Sequence, residues 1–493
     1  MIWTRGKALG GSTIINYMIY IRGNKGDYDR WMMAGNKGWS YDEVLPYFKK
    51  YEDFLVDIQD AGYHGRGGYL GVQNVPYRTK SGEAFVKAMQ EYGYKYVDYN
   101  GEHQIGVSLV HATLRNGRRS SALRAYIDSA RHRPNLKIIT EARVTKILID
   151  PETKTALGVE FVKNKRKFFA RTAKEVIISA GALASPQILM LSGIGPKKHL
   201  EDLQIPVVSD LPVGEQLYDH LTFLGLVFKV NDSIVPREGL VTSPESIIQF
   251  FLRGVGPLTS LGGVEALGII RTPMSRDSDP DYPDMEFIFV NGGLHFDKGR
   301  WLRKTFGVSD KYYDEFYKPL EEDNAFSILP MLYHPKSFGR VKLKNSNPFS
   351  WPKFYGNYFT DAENFDVKTF IAAIREAQKL IKMPAFQKYD AKQVDTHLSG
   401  CTDFIYDTDE YWECALRHLS TTLHHQVATC KMGLESDGGV VNHELKVFGV
   451  KNLRVVDTSI IPIPISAHTN APAYMVGEKA SDIIKNQWME NEV

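Results

Sequence analysis

Glu175-Val-Ile-Ile-Ser-Ala180-Gly181-Ala-Leu-Ala-Ser185-Pro186-Gln187-Ile188-Leu-Met-Leu191-Ser-Gly193 is the stretch from which the fold of this chain is read. Its Val-Ile-Ile run is unbroken and β-branched, which suits a strand buried on both faces. Gly181 then supplies a turn, Ser185 an N-cap, Pro186 the first helical position, Ile188–Leu191 an apolar face and Gly193 the stop. The spacing predicts strand, turn and helix. The same residues argue against a membrane span over the uncharged run Val176–Pro196, because Gly181, Pro186, Gln187 and Gly193 interrupt it. A second compact strand, Leu453–Val456, ends at Asp457. A proline-marked loop, Ile460–Ile465, leads from it to Asn470, Pro472 and a helix reaching about Lys485.

Working outward, Ser40-Tyr-Asp-Glu43 has the spacing of a capping box and marks a helix start. Leu136–Thr140, Arg143–Ile149 and Leu157–Val162 alternate as a small β-meander. Leu221–Val230 and Met285–Val290 read as strands, and Gly254–Gly263 is glycine-rich. Asp361–Ile381 places Val367, Phe370, Ile371, Ile374 and Ile381 on one helical face. Strands and helices alternate at both ends, with strand-rich material between. That pattern predicts an α/β nucleotide-type domain interrupted by a second domain built on a sheet. We place the boundaries at 1–220 for the first domain, 221–449 for the second, and 450–493 for the return to the first.

Composition agrees with a folded, multi-domain chain. It has 493 residues, 43% of them hydrophobic, and 60 Lys+Arg against 58 Asp+Glu. No charge excess exists to drive disorder or a dedicated nucleic-acid binder, and the length exceeds what one core usually serves. The opening MIWTRGKALGGSTIIN lacks the apolar run of a signal peptide. Three cysteines are too few for a disulfide scaffold, and none forms a CxxC pair.

Three segments carry candidate chemistry. In Gly6-Lys-Ala8-Leu-Gly10-Gly11-Ser12-Thr13-Ile-Ile-Asn16, paired glycines permit close backbone approach to a ligand, and short polar side chains lie beside them; the alternative is a plain glycine turn. His425 and His468 lie near the ends of predicted strands and suit acid–base work, the alternative being hydrogen-bonded structural histidines. His424 and His425, adjacent on an extended chain, point oppositely and do not suggest a shared metal ion; no metal site is expected. Asp457 precedes a helix whose N-terminus near Pro472 favours anionic charge, unless it is an ordinary helix start.

At this point the residues resemble a known family. Gly6–Asn16 with the following Tyr17-Met18-Ile19-Tyr-Ile-Arg-Gly23, and Gly181–Gly195, look like the two signature segments of the glucose–methanol–choline (GMC) oxidoreductases. Further matches are Pro212-Val-Gly-Glu-Gln-Leu-Tyr-Asp-His220, Pro335-Lys-Ser-Phe-Gly339, the His425 segment, and Val456 through Asp482, with the family's C-terminal part at about 335–480. Arg253-Gly-Val-Gly-Pro-Leu-Thr259 and Tyr411-Trp-Glu-Cys414 have the character of the FAD glucose dehydrogenase-like branch abundant in insects. The resemblance implies a doubly wound, Rossmann-like FAD-binding domain and an α+β substrate domain on an antiparallel sheet. It implies an FAD-dependent oxidoreductase acting on CH–OH groups, moving hydride from an alcohol or sugar to flavin N5, with oxygen or a quinone-type compound as electron acceptor. By position, His425 and His468 match the catalytic pair. Ala8, Gly10, Gly11, Ser12, Asn16, Tyr17, Met18 and Ile19 match the segment running past the flavin. Val144 matches a position touching adenine, Asp457 a cofactor-binding acid, and Asn470 and Pro472 the helix start aimed at the flavin.

The sequence also departs from the family's pattern. Relatives open with a strand, a G-x-G-x-x-G turn and a helix, and no such fingerprint occurs here, so an incomplete gene model or fragment with weak FAD affinity is expected. Gln216 stands where Asn is usual, Gln426 where this branch often has Pro, Ala428 where Gly is usual, and His468 where this branch commonly has Asn. Cys401 and Cys414 are placed to close a short loop by a disulfide, which would fit a secreted parent, leaving Cys430 free. Two other readings stay open: a flavin-free, non-catalytic protein, and a flavin-containing lyase on the same fold.

Overall fold

Ser40 and Glu43 start the first long helix, α1 (Tyr41–Tyr51), of the computed structural model, which describes residues 1–236 and 238–489. The Glu43 carboxylate reaches back to accept the Ser40 backbone N–H at 3.0 Å, and Val44, Phe48 and Tyr51 bury the face that follows. Helix α2 (Lys80–Tyr92) is capped by Thr79 and stopped by Gly93 at φ 114. After the short strand β1 (Gly106–Leu109), a meander forms from β2 (Arg143–Ile149), β3 (Ala156–Lys163) and β4 (Arg166–Arg171), all antiparallel.

The third member of that meander differs from the sequence reading. Leu136–Thr140 is exposed and forms no strand; its apolar residues find no ladder partner. Arg166–Arg171, whose charged ends disguise it, pairs with β3 instead.

The strand–turn–helix read from the opening stretch is present as β5 (Val176–Ile178) and α3 (Ser185–Leu191). The N-cap is Ala184, one residue earlier than Ser185. Burial differs too: Val176 and Ile178 are buried, whereas Ile177 is 45% exposed, so only one face of β5 is covered.

The further elements that position the site are β6 (Leu221–Phe223), β7 (Val227–Lys229), β8 (Val264–Ile270), β9 (Met285–Val290), β10 (Ala325–Leu332), α4 (Phe365–Leu380), β11 (Lys392–Gln393), β12 (Ser420–Thr422), β13 (Leu453–Val455) and α5 (Asn470–Met489). The run Leu221–Val230 breaks into β6 and β7 because the Phe223 ring folds over Gly225, where a Cβ would lie 2.5 Å from it. An eight-stranded sheet runs β11–β7–β10–β9–β8–β1, with β6 joining β10 to β12. Helix α4 lays Val367, Phe370, Ile371 and Ile374 against this sheet, the i, i+3, i+4, i+7 pattern of a core-facing stripe.

Two apolar cores result. One gathers residues from the first half with Val427–Ala480, and the other gathers α2, the inner strands of the sheet and α4. The first is closed by β5 and β13, which pair in parallel with Ile178 opposite Val455. Between the cores, the cavity-side face of the large sheet is set by strand alternation. Glu286, Ile288 and Val290 of β9 share one face and oppose Met331, Leu329 and Ser327 of β10. Among the described residues, no helix is long and apolar enough to cross a membrane.

Candidate active site

The carboxyl ends of β5 and β13 open onto a cavity of about 1690 Å³, the crevice where parallel strands in open sheets hold ligands. It exceeds the roughly 300–1,000 Å³ of a single small-molecule site, leaving room for a dinucleotide and a substrate together. One wall is the Gly11–Ile19 segment; another is the β9–β10 face of the large sheet.

The glycine loop closes on itself by close backbone contact. A Cβ on Gly6 would lie 2.2 Å from the Gly11 carbonyl oxygen, so only glycine fits. Gly10, at φ 92, caps the 3₁₀ turn Gly11–Ile14. Thr13 pins the turn: its hydroxyl donates to the Gly10 carbonyl at 2.5 Å and accepts the Ala122 N–H at 3.0 Å. Arg119 clamps the far end, donating to the Asn16 carbonyl and Asn16 Oδ1, both at 2.7 Å. Gly11, Ser12, Asn16, Tyr17, Met18 and Ile19 line the cavity, whereas Ala8 and Gly10 stand behind them; the Ala8 carbonyl accepts the Gly11 N–H.

Asp457 lies where the two parallel strands end. It lines the cavity, and its carboxylate accepts the Gly181 N–H at 2.9 Å, the Ser185 hydroxyl at 2.5 Å and the Ser459 N–H at 2.8 Å. Asp457 thus ties the turn after β5 to the turn after β13. Asn470, at the start of α5, also lines the cavity, so the positive end of that helix borders it. Pro472 is buried in the first turn of α5 and does not line the cavity. Val144 is half-buried in β2 and likewise stands off, although its neighbour Arg143 reaches the wall.

The residues present fit the dinucleotide that the resemblance implies. Gly11 and Gly181 both line the cavity in the left-handed region, at φ 57 and φ 83, and no atom lies within 4 Å of where their Cβ atoms would be. Two bare backbones therefore face open space across one floor, an arrangement that admits a ligand to main-chain contact.

His425 and His468 both face this cavity, with ring centroids 4.7 Å apart. His468 Nε2 lies 3.1 Å from Glu286 Oε1, and Glu286 Oε2 accepts the Tyr333 hydroxyl at 2.6 Å. His425 Nδ1 lies 3.1 Å from His220 Nδ1, and His220 Nε2 lies 3.0 Å from the Tyr333 carbonyl oxygen. The His425 backbone N–H donates to Asp219 at 2.9 Å. The buried Asp219 carboxylate also accepts Tyr358, Gln426 and the Thr422 hydroxyl. Burial holds His425 well below the usual histidine range, reinforced by the neighbouring His468 and His220. Burial likewise pushes His220 down to about 3. A neutral His425 has a lone pair with which to take a proton.

The chain around His425 is not extended. His424 has φ 64 and also lines the cavity, so the two adjacent histidines do not simply point to opposite sides. Ala428 has φ 70 and is buried. That left-handed backbone accommodates glycine freely and costs an L-residue about 1–2 kcal/mol, which accounts for the glycine usual there in the family.

Sequence reading missed Glu286, Tyr333 and Arg119, and it passed over Asp219 and His220 inside a longer motif. Glu286 had a signal: a carboxylate in the otherwise apolar Met285–Val290 strand needs a buried partner. Arg119 had none, because its partners are about a hundred positions away in sequence.

Two family models described as GMC oxidoreductase match residues 1–222 and 335–477. Glucose dehydrogenase [FAD, quinone] of Drosophila pseudoobscura pseudoobscura is 38% identical over 99% of this chain and 75% of the relative. Oxygen-dependent choline dehydrogenase of Burkholderia ambifaria is 35% identical over 98% of this chain and 80% of the relative. Among solved structures, an FAD-dependent oxidoreductase from Chaetomium thermophilum superposes with a TM-score of 0.84 at 26% identity, covering 98% of this chain and 87% of that one.

Proposed function

The chain belongs to the GMC oxidoreductases, and we propose that it oxidises the CH–OH group of an alcohol or sugar with His425 as the base that takes the hydroxyl proton. It is an FAD-dependent enzyme by family. FAD, when bound, supplies the acceptor for the hydride that leaves the carbinol carbon. Gly11, Gly181 and the Asn16–Ile19 backbone are the residues that would hold it, with Asp457 fixing the turns on either side. A quinone-type compound or oxygen is the proposed electron acceptor; the name of the Drosophila relative supports the former.

The observation that carries this reading is the pair of imidazoles 4.7 Å apart on the cavity wall. Removing the hydroxyl proton raises electron density on the carbinol oxygen, which drives the C–H electrons out. His425 accepts that proton, and His468, held by Glu286, orients the hydroxyl. A positioned base of this kind contributes about 10²–10⁴-fold. Substrate choice lies with the β9–β10 face and the loop lining opposite it, since the family does not fix it.

The test is anaerobic mixing of the FAD-loaded protein with alcohols and sugars while flavin absorbance is followed. The proposal expects bleaching by a CH–OH donor, slowed about 10²–10⁴-fold by His425→Ala with flavin binding retained. Unchanged reduction kinetics in that variant would remove His425 from the role. Turnover of a cyanohydrin with no dye reduction would favour the lyase reading, and a protein that takes up no flavin would favour the non-catalytic one.

A further inference from the structure

The hydrogen-bond chain behind His425 has only one consistent direction. A carbonyl oxygen accepts and never donates, so the 3.0 Å contact of His220 Nε2 with the Tyr333 carbonyl requires a proton on Nε2. A neutral imidazole carries one N–H, so His220 Nδ1 is a bare lone pair. The 3.1 Å contact between His220 Nδ1 and His425 Nδ1 is then a hydrogen bond only if His425 supplies the proton. His425 therefore has hydrogen on Nδ1 and none on Nε2.

We infer that His220 is a positioning residue that fixes the tautomer of His425, so that Nε2 and not Nδ1 is the proton acceptor. This rests on the proposed role of His425. Substrate O–H breaks, its proton passes to His425 Nε2, and the electron pair stays on the substrate oxygen. The adjoining residue completes the device: Asp219 holds the His425 backbone N–H while His220 holds the ring. Tyr333 joins both arms of the site, since its carbonyl anchors His220 and its hydroxyl anchors Glu286, the partner of His468.

Neutrality of His220 is what gives the chain its direction, and its surroundings maintain it. Burial is the main cause, and it outweighs the Tyr333 carbonyl, which favours a cation there. The other groups facing His425 are His424 and Arg5, both of which oppose a cation there. If His220 were an imidazolium, Nδ1 of His425 would have to accept, and the proton would sit on Nε2, where it blocks the reaction.

The test compares His220→Leu and His220→Gln. Leucine removes both hydrogen bonds at similar volume. Glutamine restores the order of groups, with a carbonyl to accept from His425 Nδ1–H and an amide to donate to the Tyr333 carbonyl. In the FAD-loaded protein, His220→Leu is expected to slow anaerobic flavin reduction about 10–100-fold with little change in substrate KM, and His220→Gln to recover most of that loss. The readout independent of activity is two-bond ¹H–¹⁵N NMR of protein labelled at histidine, with the His425 signals assigned by their loss in His425→Ala. The parent is expected to show Nδ1–H with bare Nε2, and His220→Leu a mixture. Finding Nε2–H in the parent overturns the inference even if no leucine variant can be folded. So does equal loss in the Leu and Gln variants. If His220→Leu is silent while His425→Ala abolishes reduction, only the tautomer assignment falls; if both are silent, the proposed function falls with it.

Discussion

Replacing Asp219 by leucine tests whether one buried carboxylate organises the His425 segment. The carboxylate accepts four donors: the His425 N–H at 2.9 Å, the Tyr358 hydroxyl at 2.7 Å, Gln426 Nε2 at 2.7 Å, and the Thr422 hydroxyl. Leucine fills similar space and accepts nothing. Gln426 Nε2 keeps a second acceptor, Thr422 Oγ1 at 3.0 Å, and the Thr422 hydroxyl is free to rotate. The Tyr358 hydroxyl keeps Thr422 as a partner and faces the open cavity, so the His425 N–H is the donor left without an acceptor. One orphaned buried donor costs about 1–3 kcal/mol. Against this, the substitution relieves a buried charge, because burial pushes the Asp219 carboxyl upward, a shift its donors and Arg5 offset only in part. The net expectation is a loss of about 1–3 kcal/mol for Asp219→Leu. Asp219→Asn should lose less than about 1 kcal/mol, since an amide oxygen still serves the His425 N–H and Gln426 Oε1, unpaired in the parent, is available to its NH₂. Urea unfolding followed by tryptophan fluorescence measures both. Flavin reduction should suffer more in the leucine variant than in the asparagine one. A leucine variant as stable as the parent, or less damaging than asparagine, would refute the reasoning.

Other consequences follow from the same structure. Burial lowers His220 and His334 to about 3 and His111, His295 and His424 to about 4. These groups stay neutral in the fold while the unfolded chain protonates them below about pH 6.5, so stability is lost as pH falls through that value. Each excess proton on the unfolded chain contributes about 1.4 kcal/mol per pH unit. Asp27, raised to about 6, and Glu265, raised to about 7, oppose the trend because the fold protonates them first, but the histidines outnumber them. Urea midpoints should therefore drop steeply from pH 6.5 to 5, and a flat profile would contradict this burial. Gly11→Ala puts a methyl group into the open cavity floor at φ 57; FAD affinity should weaken about tenfold by flavin-fluorescence titration, with the protein still folded. Replacing both members of the Cys401–Cys414 disulfide by serine opens a loop of sequence separation 13, and unfolding free energy should fall by about 3 kcal/mol.

Much of the architecture was legible because it rests on local chemistry. The Val176–Gly193 strand–turn–helix, the Ser40–Glu43 helix start and the α4 stripe follow from residue order within one element. The cavity-lining members of Gly6–Ile19 were legible from glycine spacing and from resemblance. What stayed hidden depends on long-range partners. Leu136–Thr140 has the composition of a strand yet meets no neighbouring ladder, while Arg166–Arg171 becomes one through β3. His220 and Tyr333 acquire their meaning only when the turn before β6, the residue after β10 and the His425 loop converge. No periodicity in any one of those segments announces that meeting.

The pairing of β5 with β13 has a consequence for biosynthesis. Ile178 leaves the ribosome long before Val455, a delay on the order of tens of seconds at about 5–20 residues per second. Throughout that interval the nascent chain displays an unpaired edge at β5, and Asp457 has yet to join Gly181. The cavity floor is therefore assembled last, and a nascent polypeptide stalled before Leu453 would lack it however well its middle sheet had folded. Chaperone occupancy during translation should concentrate in that window.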